Sequence, residues 1–90
     1  MKTIAVIPTY NEESNIENVL SGLNEHVDKI IVVDSSIDST PDIVRRFKAV
    51  ELIEECRGKG IQLRKGISRA LEYGPDYILQ IDGDIYQNNT

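Results

Sequence analysis

The sequence predicts an α/β fold built on a parallel sheet covered on both faces, and three observations carry that expectation. Short apolar runs rich in branched residues alternate with amphipathic helical stretches from end to end. Those runs are almost wholly apolar rather than alternating, as strands buried on both faces are. Polar or glycine-bearing breaks follow each run, at the points where an open α/β sheet collects its ligands.

Thr3–Pro8 (TIAVIP) is the first strand, ended by proline. Asn11 then offers a cap, Glu12 and Glu13 supply negative charge, and Ile16, Val19, Leu20 and Leu23 form the stripe of a first helix. Lys29–Asp34 (KIIVVD) is the second strand. Thr40-Pro41 reads as cap and first helical residue of a second helix, with Ile43, Val44 and Phe47 on its inner face. Val50–Ile53 is a weaker third strand. Gly58–Tyr73 carries Leu63, Ile67, Ala70 and Leu71 at helical spacing and stops at Gly74-Pro75. Tyr77–Ile81 (YILQI) is the fourth strand. The order is β-α-β-α-β-α-β, and right-handed crossovers make a Rossmann-like, three-layer arrangement the natural one.

Ninety residues make a single domain, 1–90, or part of one. An apolar fraction of 40% and a charged fraction of 28% describe a globular chain. The net charge of −5 argues against a nucleic-acid backbone or an anionic membrane surface as partner. No run is long enough to span a membrane and no signal-peptide pattern opens the chain, so no membrane segment is expected here. Cys56 is alone, which excludes an internal disulfide and points to a reducing, cytoplasmic setting. His26 is a polar residue near a helix end.

The chemistry-bearing residues gather at the carboxyl ends of the strands: Pro8, Thr9, Tyr10, Asn11 and Glu12 after the first, Asp34 after the second, Arg57-Gly58-Lys59-Gly60 after the third, Asp82 and Asp84 after the fourth. Asp82-Gly83-Asp84 reads either as an Asp-Gly turn with a solvated second carboxylate or as a pair sharing a hard divalent cation. Mg²⁺ or Mn²⁺ suits the second reading, because such ions take one or two carboxylates and fill the rest of their shell with phosphate oxygens and water. Gly58-Lys59-Gly60 is either a flexible helix start or a phosphate approach, with exposed N–H groups and a lysine. Its spacing is neither G-x-G-x-x-G nor the P-loop. Asp34 is a turn cap or a ligand group.

Taken in order, these segments resemble the N-terminal half of family 2 glycosyltransferases, which have the GT-A fold. Val6-Ile7-Pro8-Thr9-Tyr10-Asn11-Glu12 is similar to the family's opening strand and P-x-Y-N-E turn. Ile31–Thr40 resembles V-V-D-D-G-S-x-D-x-T with Asp34 at the second Asp, Val33 in place of the first and Ser35 in place of the Gly. Gly58-Lys59-Gly60 with Arg64 and Gly66-Ile67 resembles G-K-G-x-A-x-R-x-G-(I/L), with Leu63 displacing the small residue nearby. Tyr77–Asp84 resembles the strand bearing the D-x-D metal motif.

P-T-Y-N-E with D-G-D is most similar to the dolichol- or polyprenyl-phosphate sugar transferases. The resemblance implies a truncated GT-A domain with strand order 3-2-1-4, and inverting transfer from a UDP- or GDP-linked sugar. It implies that Pro8, Tyr10, Glu12 and Asp34 hold base and ribose, with Lys59 at the phosphates. It further implies that Asp82, Gly83 and Asp84 engage ribose, diphosphate and metal, Asp84 being the direct metal ligand. The family's catalytic base and acceptor elements lie downstream of the D-x-D strand, so no residue here is assigned as base and catalysis by this chain alone is not expected. The fourth strand should then be an edge, with Ile78, Leu79 and Ile81 uncovered and a homodimer forming through it. Two other readings stand beside this one: a haloacid-dehalogenase-type phosphatase using D-x-D, and a non-catalytic, self-associating nucleotide-binding remnant.

Overall fold

The computed structural model describes residues 1–82. Its elements are β1 (Thr3–Thr9), α1 (Ile16–Leu23), β2 (Lys29–Asp34), α2 (Thr40–Arg45), β3 (Val50–Glu54), α3 (Lys59–Leu71) and β4 (Tyr77–Gln80). All strand pairs are parallel, in the order β3-β2-β1-β4. The expected three layers and strand order are therefore present.

Two apolar layers enclose the sheet. Ala5, Ile7, Ile30 and Val32 face one way and pack with Ile16, Val19 and Leu20 of α1 and Val44 of α2. Ile4, Val6, Ile31 and Val33 face the other way, toward Ala70 of α3. The alternation is that of a pleated strand, and because both faces are covered β1 and β2 need apolar side chains at every interior position. β3 is only half-buried and β4 more exposed still, as befits the two outer strands among the described residues. Of Ile78, Leu79 and Ile81, however, all expected to be uncovered, only Leu79 is exposed, since Ile78 and Ile81 pack against the two apolar layers.

Helix starts and faces depart from the sequence reading in three places. α1 begins at Ile16, not next to Asn11, and its cap position is Asn15 without a side-chain cap bond. Asn11 instead takes a left-handed φ of 51°, which asparagine tolerates better than other side chains. In α2, Ser39 is the capping position and Thr40 is already helical and buried. The buried face of α3 is Gln62, Gly66 and Ala70, while Leu71 is exposed and Leu63 and Ile67 are half-buried. Beyond Gln62 that face is short-chained, Gly66 and Ala70, because α3 lies very close to the sheet there. A Cβ on Gly66 would stand 2.4 Å from Cγ1 of Val6 and 2.9 Å from Cγ2 of Val33. Glycine is required there, and the apolar periodicity of α3 marks its flank rather than its contact face.

Among the described residues, no helix is long and apolar enough to cross a membrane.

Candidate functional site

The site begins where β1 and β2 end side by side. The register sets Thr9, not Tyr10, opposite Asp34. Asp34 is 2% exposed. Its Oδ1 accepts hydrogen bonds from the hydroxyls of Thr9 and Ser36, both at 2.6 Å, and its Oδ2 accepts from the Ser36 N–H at 3.0 Å. Three donors compensate the burial of a carboxylate that would otherwise be strongly disfavoured. Asp34 therefore ties the two strand ends together.

The loops leaving those strands are laced to each other. The N–H of Asn11 donates to Ser36 Oγ, that of Glu12 to Thr40 Oγ1 and that of Glu13 to Asp38 Oδ2. In return, the N–H of Ile37 donates to Asn11 Oδ1 and that of Ser39 to Glu13 Oε1. Asp38 also accepts from the N–H and hydroxyl of Thr40. Burial works against the Asp38 charge, but the bonds from Thr40 and Glu13 outweigh it and hold the carboxyl below its ordinary range. Asn11 and Asp38 thus spend their side chains on the loops themselves, making a preformed platform.

A cleft of about 130 Å³ opens on this rim. Six residues singled out in the sequence line it, Pro8, Thr9, Tyr10, Glu12, Lys59 and Asp82, together with Gln62. Tyr10 is 61% exposed, so its ring is available to a ligand. Lys59 is the first residue of α3, and Gly58 before it has a φ of 121°, a conformation suited to glycine. Lys59 Nζ lies 3.1 Å from Asp82 Oδ1, with both side chains mostly in solvent. Asp34 lines a second cleft of about 410 Å³ with Ser35, Ser36, Ile37, Glu54, Glu55 and Cys56. Gly83 and Asp84 lie outside the described residues.

For a divalent ion, the donor chemistry fits in part. Among the described residues no group of three or more ligating side chains gathers. Asp82, exposed at the cleft and bonded through one oxygen to an exposed lysine, is the kind of single carboxylate that a largely hydrated Mg²⁺ uses.

Two contributors escaped the sequence reading. Gln62 is 3% exposed and donates from Nε2 to the carbonyls of Thr9 and Val33. Counting from Gly58, it is Gln62, not Leu63, that stands at the small residue of the G-K-G-x-A pattern, and this departure was the available signal. Glu55, 7% exposed at the second cleft, pairs with Arg57 at 2.7 Å and Lys65 at 2.8 Å. Hydrogen bonds from Arg57 and then Lys65 hold its carboxyl far below the usual range.

The family model for glycosyl transferase family 2 matches residues 4–88, which include every strand and helix of this rim. The chain belongs to glycosyl transferase family 2. The chain is also similar to known proteins. An uncharacterized protein of Methanocaldococcus jannaschii is 45% identical across 94% of this chain. A dolichyl-phosphate hexose transferase of Haloferax volcanii is 34% identical across 69% of it. The UDP-N-acetylglucosamine–dolichyl-phosphate N-acetylglucosaminyltransferase of Methanococcus voltae is 31% identical across 88% of it. The chain spans 41%, 28% and 39% of the lengths of these relatives, respectively.

Proposed function

We propose that this family 2 segment binds the nucleoside-diphosphate sugar of a metal-dependent, inverting glycosyltransferase that delivers its sugar to a polyprenyl phosphate. The observation that carries this reading is the convergence of Pro8, Tyr10, Glu12, Lys59 and Asp82 on one cleft at the carboxyl rim. The names of two relatives supply the acceptor class.

At about 130 Å³ the cleft is smaller than a ligand pocket of roughly 300–1,000 Å³. A whole nucleotide needs more room, and the second cleft across the Thr9–Asp34 hydrogen bond supports a reading with base and ribose near Asp34 and the exposed Tyr10 ring available to a ring face. The diphosphate lies toward Lys59 and the unpaired N–H groups that open α3 ahead of Gln62, where the positive end of the helix favours anions and the ribose is left beside Gln62. Lys59 alone does not balance a diphosphate beside Glu12 and Asp82, so a divalent ion belongs with them, held by Asp82 and Asp84. When bound, that ion neutralises the charge growing on the departing diphosphate. The free, exposed Cys56 supports a reducing, cytoplasmic setting.

Calorimetric titration with UDP and GDP, with and without Mn²⁺, tests the reading and names the base. Mn²⁺-enhanced binding that is lost in Asp82→Asn and Asp84→Asn is expected. No binding of either nucleotide, or Mn²⁺ enhancement undiminished in both variants, would overturn it.

A second reading, of a module that binds nucleotide and self-associates, draws on one observation. β4 borders the sheet among the described residues, with Tyr77 53% and Leu79 42% exposed. A two-fold pairing of β4 with its copy would satisfy that edge.

A further inference from the structure

Gln62 is an unusual residue to find against a sheet. It sits one turn into α3, and its buried neighbours on that face are Gly66 and Ala70. It is 97% removed from solvent by its 3% exposure, yet it lines the cleft. Its Nε2 donates at 3.1 Å to the Thr9 carbonyl and at 2.7 Å to the Val33 carbonyl. Those carbonyls belong to neighbouring strands at the point where the platform begins, so the amide bridges β1 and β2 just beneath the Thr9–Asp34 hydrogen bond.

The orientation of the amide follows from chemistry. Carbonyl oxygens only accept, so the group facing both of them is NH₂, and reversal would set three acceptors against one another. Both amide protons are consumed, and Oε1 has no hydrogen bond among the described residues. Since no buried side-chain atom among them lacks a partner, Oε1 retains solvent access, and Gln62 lines the cleft. The result is a neutral acceptor held in a single orientation. Such an oxygen repels phosphate oxygens, which are themselves acceptors, and accepts only from a donor. On a nucleoside diphosphate the donors are the ribose hydroxyls and the N–H groups of the base.

We propose that Gln62 is both a positioning and a specificity-determining residue: its NH₂ clamps the ends of β1 and β2, and its Oε1 accepts a hydrogen bond from a ribose hydroxyl or base N–H of the bound nucleotide. The second half rests on the nucleotide reading given above; the first does not.

The test is a comparison of ratios. Wild type and Gln62→Met, a near-isosteric variant without polar atoms, are titrated with UDP, 2′-deoxy-UDP, 3′-deoxy-UDP and N3-methyl-UDP in the presence of Mn²⁺, and with the corresponding guanosine compounds if GDP is the ligand. In wild type, the analogue lacking the donor that Gln62 reads binds about tenfold more weakly, the cost of leaving a buried acceptor unpaired. In Gln62→Met the parent nucleotide loses about the same factor and the discrimination disappears. The deoxy and N-methyl arms distinguish sugar from base. A merely structural role would weaken all ligands alike and leave the wild-type ratios intact in the variant, which overturns the proposal. Should Gln62→Met not fold, the side-chain amide of Gln62 in wild type gives the answer by NMR. Its protons should exchange slowly with water, and its shift should move with UDP but not with the donor-deleted analogue. Fast exchange overturns the clamp, and equal shifts with all ligands overturn the acceptor role. Wild type that binds neither UDP nor GDP overturns the nucleotide reading, and with it the acceptor role, while slow amide exchange would still uphold the clamp.

Discussion

Replacing Gly66 with alanine adds one methyl group at the tightest contact between helix and sheet. The new Cβ would meet Val6 Cγ1 at 2.4 Å and Val33 Cγ2 at 2.9 Å, where ordinary carbon contacts lie near 3.5–4.0 Å. Neither valine can yield, because both are fully buried and β-branched side chains have few rotamers in a strand. α3 must therefore withdraw by about 1 Å, opening space along Ala70 and the β1–β2 surface. Overpacking of this kind costs about 1–3 kcal/mol, and contacts this short against immobile atoms belong at the upper end. Alanine recovers about 1 kcal/mol through its better helix propensity. The net expectation is a loss of about 2 kcal/mol, a fall in Tm of roughly 8–16 °C for a domain of this size. Urea and thermal denaturation followed by circular dichroism measure it directly. Because α3 carries Lys59 and Gln62 into the cleft, nucleotide affinity should fall as well. Unchanged or increased stability would show that helix propensity outweighs the clash and that the close approach of α3 is not rigid.

Other consequences follow from the same contacts. Asp34→Ala strands the hydroxyls of Thr9 and Ser36 and the N–H of Ser36, and should cost about 1–3 kcal/mol in urea unfolding besides weakening nucleotide binding; full stability would refute its role as a tie between strands. Because the folded-state pKa of Glu55 is depressed, its contribution is complete above the unfolded value near ~4.3 and is lost as pH falls below that toward the folded value. Glu55→Gln should therefore lower the urea midpoint at pH 7 and flatten its decline in acid, and an acid limb as steep as that of wild type would remove Glu55 from the account. Among the described residues Lys59→Met breaks one exposed ion pair, and it should change stability by at most about 1 kcal/mol. It should weaken UDP or GDP far more than the matching nucleoside, and equal losses for both would place the diphosphate elsewhere. If β4 pairs with a second copy, Leu79→Lys should shift sedimentation toward the monomer; a wild type that sediments as a monomer at high concentration excludes that pairing.

The succession of strands and helices could be read from the sequence because it rests on local patterns. All-apolar runs such as Ile30–Val33 suit a strand covered on both faces, and the stripe Ile16, Val19, Leu20 suits a helix covered on one. The strand ends, and hence Pro8, Tyr10, Glu12, Lys59 and Asp82 as neighbours on one rim, follow from parallel topology together with the family motifs. What no local pattern could specify was distance and partnership across the chain. Asn11 has the composition of a helix cap, but Ile37 lies within reach of its side chain and the helix starts later. Leu63, Ile67 and Leu71 have the spacing of a buried face, but the sheet surface formed by Val6 and Val33 admits only Gly66 and Ala70 at closest approach. Gln62 is an ordinary polar helix residue by composition; it becomes a clamp because two carbonyls from strands 53 and 29 residues away in sequence converge on it. Periodicity records which side of an element is apolar, whereas the choice of hydrogen-bond partner is settled by which backbone groups folding brings within about 3 Å.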